Sequence, residues 1–159
     1  MRTEIIGIDH GNGNMKTAHT VFPCGFKMQE TEPSALFAKD IVEYDGLFYS
    51  LTPNRFSYQV DKTTDERCYV LTLFAVAKEL MMRGVDSTAS LRSDQNDMQN
   101  EDGMKRKGAA VEADVVLAVG LPPAHFEKQH GAFQRYFEER AGDGMNFAYN
   151  GKRFRLRVV

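Results

Sequence analysis

The stretch that most constrains the fold of this chain is an apolar segment, residues 5–8, that leads into Asp9 and a turn of alternating glycine and asparagine, residues 11–14. Glycine and asparagine tolerate a positive φ, so this turn can close tightly with its N–H groups pointing inward. Lys16 follows, and we predict that a second strand continues from it through Phe22. The sequence therefore predicts an N-terminal β-hairpin.

The turn of this hairpin has the parts of an anion site. A ring of backbone N–H groups forms an anion-binding nest, Lys16 adds a positive charge and Asp9 can hold a hydrated cation. This combination predicts binding of a metal-bound phosphate, although a plain hairpin with a Gly-Asn turn is an open alternative. The loop differs from a Walker A loop and from a GxGxxG loop, because neither Gly-Lys-Ser/Thr nor a helix follows the turn.

Composition indicates one soluble domain with an ordinary core, since 42% of the 159 residues are apolar and 26% are charged. The net charge of −2 gives no reason to expect binding to nucleic acid or to an anionic membrane. No apolar window reaches the roughly 18 residues of a membrane span, and the N-terminus lacks a signal-peptide pattern. Cys24 and Cys68 stand alone, which predicts reduced thiols in a cytoplasmic protein.

Further β segments are predicted after the first hairpin. Residues 33–38 are expected to form a short third strand, and the Asp45-Gly46 pair predicts a second hairpin between residues 41–44 and 47–51. Residues 52–64 lack any periodicity and are predicted to be a loop. The sequence thus places a small group of strands ahead of the first helix.

The first helix is predicted to begin at residues 64–66, with acidic residues in its first turn, and to end at a capping Gly84. Residues 86–108 are strongly polar and are predicted to be a mobile insertion, in which the basic residues 105–107 form a solvated patch.

The apolar run 113–119 predicts a strand buried on both faces, and residues 124–140 predict a second helix, on which His125 and His130 are surface or packing residues. The link between this strand and this helix is a place where α/β proteins bind anions. Asn150-Gly151 predicts a last hairpin between residues 145–149 and 153–159. Its second strand has no cap or turn after it, so we expect the chain to be the first half of something larger.

Five sequence motifs, taken in their order along the chain, resemble the N-terminal domain of bacterial actin-like proteins, most closely the ParM/StbA plasmid-segregation type. The motifs are Ile-Asp-His-Gly-Asn-Gly-Asn-Met-Lys (8–16), Tyr-Asp-Gly-Leu-Phe-Tyr (44–49), Leu-Thr-Leu-Phe-Ala-Val-Ala-Lys-Glu-Leu (71–80), Val-Leu-Ala-Val-Gly-Leu-Pro-Pro (116–123) and Asn-Gly-Lys-Arg-Phe (150–154). The resemblance covers nearly all of the chain outside residues 86–108.

The resemblance implies an actin/Hsp70/hexokinase fold, in which two RNase H-like α/β halves enclose ATP or GTP with Mg²⁺. Residues 1–159 would form the first half, with a mixed sheet, flanking helices and a small outer β-subdomain at about residues 34–64. Asp9 would reach the metal through water and Lys16 would neutralise phosphate charge. The N–H groups of the loop would cradle the β- and γ-phosphates; its residues are Gly11, Asn12, Gly13, Asn14 and Met15.

The family's water-positioning acid or amide and its second phosphate loop lie beyond Val159, so no catalytic residue is expected within this sequence. Because phosphoryl transfer needs groups positioned on both sides of the phosphate, this chain alone should bind nucleotide weakly and hydrolyse it negligibly.

The function implied is that of a filament-forming NTPase which segregates plasmid or phage DNA. Its partners would be other protomers and an adaptor protein on the DNA, with no direct contact to nucleic acid and no membrane. Two alternatives stay open: a free-standing, non-catalytic module that binds or caps filaments, and half of a sugar or acetate kinase of the same fold. Pelleting with nucleotide would favour the filament, and one-to-one binding without turnover would favour the module.

Overall fold

A computed structural model describes residues 3–34, 36, 38–85 and 109–159 of the chain. The elements in this part of the chain are β1 (Thr3–His10), β2 (Asn14–Lys16), β3 (Val21–Pro23), β4 (Phe26–Gln29), β5 (Ile41–Tyr44), β6 (Leu47–Leu51), α1 (Arg67–Met82), β7 (Val111–Gly120), α2 (Pro123–Ala141), β8 (Met145–Tyr149) and β9 (Lys152–Val158).

The strands form one mixed sheet in the order β3-β2-β1-β7-β9-β8-β5-β6-β4. Its centre is parallel, because β7 pairs in parallel with β1 on one side and with β9 on the other. The outer pairs are antiparallel, and β5 joins the group β4–β6 to the rest of the sheet by pairing with β8. The predicted α/β class with a mixed sheet and an N-terminal hairpin is confirmed.

The two edges of this sheet, β3 and β4, are consecutive in the chain and only Cys24 and Gly25 lie between them. A link of two residues spans at most about 11 Å between the Cα atoms that flank it, so the sheet must curl until its edges approach each other. Helix α1 packs against strands from both sides of the curl, namely β1, β2, β5 and β8. Twelve of its sixteen residues are buried, as expected for a helix that is covered nearly all round.

The second strand is shorter than predicted. Instead of running from Lys16 through Phe22, it ends at Lys16, and the chain turns back over residues 17–20 into the antiparallel strand β3. The turn is closed by a hydrogen bond from the Thr17 N–H to the Thr20 carbonyl at 2.9 Å, and the Thr17 hydroxyl accepts from the Thr20 N–H at 3.0 Å. Threonine side chains that bond to nearby backbone compete with a continuous strand in this way.

Glu79 of α1 holds this turn in place. Its fully buried carboxylate accepts hydrogen bonds from the Thr17 hydroxyl at 2.7 Å, the His19 N–H at 3.2 Å and the His19 ring at 2.7 Å. The Arg83 guanidinium donates to the same carboxylate at 2.8 Å and to Glu4 of β1 at 3.1 Å. The buried charge is therefore both paired and hydrogen-bonded, as burial of a carboxylate requires.

The predicted third strand at residues 33–38 is wrong for the residues of it that are described. Pro33 has no N–H to give to a sheet, and Ala38 donates its N–H to the Ser34 carbonyl at 3.2 Å, which makes a turn. The strand that occurs instead is β4, Phe26–Gln29, which pairs with β6.

Helix α1 begins at Arg67, slightly later than predicted, and its first turn holds no acidic residue. Asp65 precedes the helix and accepts a hydrogen bond from the Arg67 N–H at 2.9 Å. Gly84 ends the helix with a φ of +65°, as predicted. The predicted insertion at residues 86–108, including its basic residues 105–107, lies outside the described residues.

The later elements agree better with the sequence. The predicted second helix is α2, and hairpins occur at Asp45-Gly46 and Asn150-Gly151. Strand β7 is the exception, because its residues are buried mainly in the first half and Ala118 is exposed. A strand that faces solvent on part of one side differs from the predicted strand buried on both faces.

Candidate anion-binding site at the hairpin turn

The candidate site lies at the end of the sheet where the parallel strands β1 and β7 both finish. Asp9, near the end of β1, is in register with Gly120, the last residue of β7. The turn of residues 11–13 follows β1 directly at this end. Carboxyl ends of parallel strands are the usual place for ligands in α/β proteins.

Three carbonyl groups at the turn are hydrogen-bonded to groups of the protein. The His10 carbonyl accepts a hydrogen bond from the Lys62 ammonium, the Gly11 carbonyl accepts from the Cys24 thiol at 3.3 Å, and the Gly13 carbonyl accepts from the Cys24 N–H at 3.0 Å. In contrast, the N–H groups of residues 11–13 have no acceptor within the described part of the protein. These donors are therefore available to a ligand.

The turn needs glycine for space. A Cβ atom on Gly11 would lie 2.6 Å from the Asn14 carbonyl oxygen, which is a clash with backbone. The predicted use of positive φ is wrong, because none of the described residues with positive φ belongs to this turn. The tight closure comes from the missing side chain at Gly11 rather than from a left-handed conformation.

Asp9 and Lys16 lie directly opposite each other on β1 and β2, so their side chains share one face of the sheet. Both are exposed, and no ion pair between them occurs in the described structure. A carboxylate and an ammonium group thus flank the free N–H groups of the turn. No cluster of three or more His, Cys, Asp or Glu side chains suited to a metal occurs in the described residues, so Asp9 would bind a metal together with water and ligand oxygens.

The other predicted site residues play different parts. Asn12 is exposed at the tip of the turn, whereas the Met15 side chain is 1% exposed and belongs to the core, so only its backbone can serve the site. The Asn14 side-chain oxygen accepts a hydrogen bond from Arg55 at 3.1 Å. The structure therefore brings the predicted residues together, with Met15 facing away.

Sequence reasoning missed two basic residues, Arg55 and Lys62, which come from the loop between β6 and α1. Both approach the turn, and Lys62 also lines a small pocket of about 50 Å³ behind it, together with Cys24 and Cys68. Burial lowers the pKa of Lys62, and the nearby Cys68, Cys24 and Asp9 oppose this effect. Nothing in the aperiodic stretch 52–64 indicated that it would return to the turn.

The two cysteines are free and buried, which agrees with the prediction of unpaired thiols. Burial raises the pKa of Cys24, and burial raises the pKa of Cys68 to about 12. Since the thiolate is the reactive form, neither residue is suited to act as a nucleophile near neutral pH.

His10 is a structural residue behind the site. Burial, helped by the charge of Lys62, lowers its pKa to about 3, so the ring is neutral. The Thr72 hydroxyl donates to the Cys68 carbonyl at 2.8 Å, so the His10 Nε2–H must donate to the Thr72 oxygen at 2.7 Å. His125 and His130 lie on α2, where His130 stacks on Phe126, and act as surface or packing residues, as predicted.

The curled mixed sheet with two helices matches half of an actin-like fold. Two solved structures share this fold: the apo ParM protein of pSK41, with a TM-score of 0.55 and 15% identity over 100% of this chain, and the Alp12 filament, with a TM-score of 0.54 and 11% identity over 99% of this chain. Both are actin-like plasmid-segregation proteins. The chain spans about half of each, 50% and 46% of their lengths.

At these identities the likeness concerns the fold. No protein-family model matches the sequence, and no curated protein matches it either. No helix in the described part of the chain is long and apolar enough to cross a membrane.

Proposed function

We propose that this chain is the nucleotide-binding half of an actin-like, filament-forming NTPase, and that its hairpin turn binds the phosphates of ATP or GTP with Mg²⁺. The observation that carries the proposal is the orientation of the turn. The carbonyls of His10, Gly11 and Gly13 are bonded to groups of the protein, while the N–H groups of residues 11–13 have no acceptor in the described part of the chain. Backbone donors without a protein acceptor suit an anion.

The flanking charges fit a metal-bound phosphate. Asp9 and Lys16 are exposed on the same face beside the turn and are not paired with each other in the described structure. Mg²⁺ supplies neutralisation of phosphate charge and keeps several of its waters, so one carboxylate that reaches it through water is sufficient. Lys16 adds a positive charge for the phosphate oxygens.

The cellular role we propose is segregation of plasmid or phage DNA in the cytoplasm. It is supported by the fold shared with two plasmid-segregation proteins, one of which is a filament structure. Head-to-tail contacts between protomers would build the polymer, and an adaptor protein would link it to DNA. The chain itself would not bind DNA, in keeping with its net charge of −2.

Nucleotide binding is tested with Gly11→Ala and a matched Gly7→Ala control. The Gly11 Cβ would meet the Asn14 carbonyl at 2.6 Å, whereas a Cβ on Gly7, in the same strand-and-turn unit, would meet nothing within 4 Å. We expect Gly11→Ala to weaken binding of MgATP or MgGTP by at least about tenfold in calorimetric titration, since a displaced loop loses several donors. Gly7→Ala should bind as the wild type does.

Two results would overturn the proposal: a wild-type protein that binds neither nucleotide at millimolar concentration, or a Gly11→Ala protein that binds as tightly as the wild type. Sedimentation with and without nucleotide then tests assembly. Nucleotide-dependent pelleting supports the filament, while nucleotide binding by a protein that stays monomeric would indicate the non-catalytic module.

A further inference from the structure

The guanidinium group of Arg55 lies against the hairpin turn although Arg55 is 41 residues away along the chain from Asn14. Its Nη2 donates to the Asn14 side-chain oxygen at 3.1 Å. Its Nε would be 3.5 Å from a Cβ placed on Gly13, so the group sits beside the free N–H donors. The side chain is exposed and has no carboxylate partner in the described part of the protein.

The backbone that carries Arg55 is fixed to the same turn. On one side of it, Thr52 donates its N–H to the Gly25 carbonyl at 3.0 Å, and on the other, Phe56 donates its N–H to the Cys24 carbonyl at 2.8 Å. Cys24 in turn donates its N–H to the Gly13 carbonyl at 3.0 Å. Arg55 therefore has an anchored main chain and an exposed guanidinium group that is held at the turn by its hydrogen bond to Asn14.

The charges near the turn converge on one place. Cys24 lies within electrostatic reach of Lys62, Arg55 and Asp9 together; burial raises the pKa of its thiol, the two cations lower it and Asp9 raises it. Of the two cations, Lys62 is partly buried and already bonded to the His10 carbonyl. Arg55 has a single hydrogen bond within the described residues, to Asn14, which leaves most of its donors unused there.

We propose that Arg55 is a further phosphate-binding residue, which exchanges its hydrogen bond to Asn14 for oxygens of the terminal phosphates of a bound nucleoside triphosphate. A guanidinium offers five donors in a planar fork that matches phosphate oxygens, and its single bond to the neutral amide oxygen of Asn14 is weaker than a bond to a charged phosphate oxygen. The proposal rests on the function proposed above. If Arg55 binds phosphate, phosphate binding also depends on the loop that follows strand β6.

The test compares Arg55→Met, Arg55→Lys and the control Lys27→Met, which removes an exposed positive charge on β4 that has no hydrogen bond to the turn in the described structure. The probes are MgATP, MgGTP and inorganic pyrophosphate with Mg²⁺, followed by calorimetry. We expect Arg55→Met to weaken binding of the preferred triphosphate and of pyrophosphate by about 10- to 100-fold, because charge-assisted hydrogen bonds to the phosphate are lost. Arg55→Lys should recover part of the affinity, Lys27→Met should change nothing, and the melting temperature of the ligand-free protein should stay the same in all three.

Affinities unchanged in Arg55→Met would overturn this inference while leaving nucleotide binding intact. A loss of affinity accompanied by a lower melting temperature and no recovery in Arg55→Lys would assign Arg55 a structural role only. A wild-type protein that binds none of the three probes would overturn the proposed function, and the role of Arg55 with it.

Discussion

Replacing Glu79 by glutamine removes a buried charge from α1 with almost no change in side-chain size. Burial by itself raises the pKa of Glu79, but hydrogen bonds from Thr17, His19 and Arg83 outweigh it and lower the pKa from 4.5 to about 2. The difference between these values corresponds to about 3 kcal/mol of folding free energy. We therefore expect Glu79→Gln to lower the free energy of unfolding by about 3 kcal/mol at pH 7.

The loss should depend on pH in a defined direction. A carboxyl group whose pKa is lower in the folded state stabilises the protein above its unfolded pKa of 4.5, and this stability is lost as the pH falls toward 2. We would measure the free energy of unfolding in urea by circular dichroism. The difference between the wild type and Glu79→Gln should have its full value at pH 7 and pH 6 and should be smaller at pH 4 and pH 3.

The control for this series is Glu139→Gln, which removes an exposed carboxylate from α2 and should change stability by less than about 0.5 kcal/mol. A gap for Glu79→Gln below about 1 kcal/mol at pH 7, the value of a surface ion pair, would refute the reasoning. A gap of the same size at pH 7 and pH 3 would refute it as well, because the charge would then not be its source.

Two further substitutions test the packing. Gly25→Ala places a Cβ 1.8 Å from the Asn54 carbonyl oxygen, so the link between the two edge strands must shift and the two backbone hydrogen bonds of Gly25 must weaken. We expect a loss of about 2–3 kcal/mol, seen as a fall in melting temperature of about 4–12 °C. Tyr136→Phe removes a buried hydroxyl that accepts from the Tyr69 N–H at 3.0 Å and donates to the Asp65 carbonyl at 2.8 Å. We expect it to cost about 1–3 kcal/mol in urea unfolding, since both backbone groups lose their partner.

Each of these substitutions has a matched control in the same chain. Gly7→Ala adds a methyl group in open space, and Tyr58→Phe removes an exposed hydroxyl whose one hydrogen bond among the described residues, to His125, is 3.3 Å long. Both controls should unfold as the wild type does. A Gly25→Ala or Tyr136→Phe protein as stable as its control would mean that the close packing at that position is not needed for folding.

The sequence was most informative where structure is decided locally. The hairpins at Asp45-Gly46 and Asn150-Gly151 were predictable because all four turn residues adopt positive φ, between 48° and 79°, which these residue types accept most readily. The end of α1 at Gly84 follows from the same preference. Prediction failed where contacts between residues distant in the sequence determine the local structure. The turn at residues 17–20, for example, is held by Glu79, some 60 residues further along the chain.

The candidate site divides in the same way. The opposed positions of Asp9 and Lys16 follow from the register of a short hairpin and could be predicted. The approach of Arg55 and Lys62 could not, because it results from the junction at Cys24 and Gly25, which draws the loop after β6 toward the turn. That junction depends on the curl of the whole sheet, which no local pattern reveals.

The junction also bears on how copies of this chain can meet. The edge strands of an open sheet present unpaired N–H and C=O groups that can recruit a strand from another molecule. Here the edge strands β3 and β4 are only three and four residues long, and the link between them brings their adjacent ends together. There is little room at that point for a strand from another molecule. Ordered assembly of this chain would therefore use contacts between side-chain surfaces. It would differ from a cross-β aggregate, in which strands of different molecules are joined by backbone hydrogen bonds.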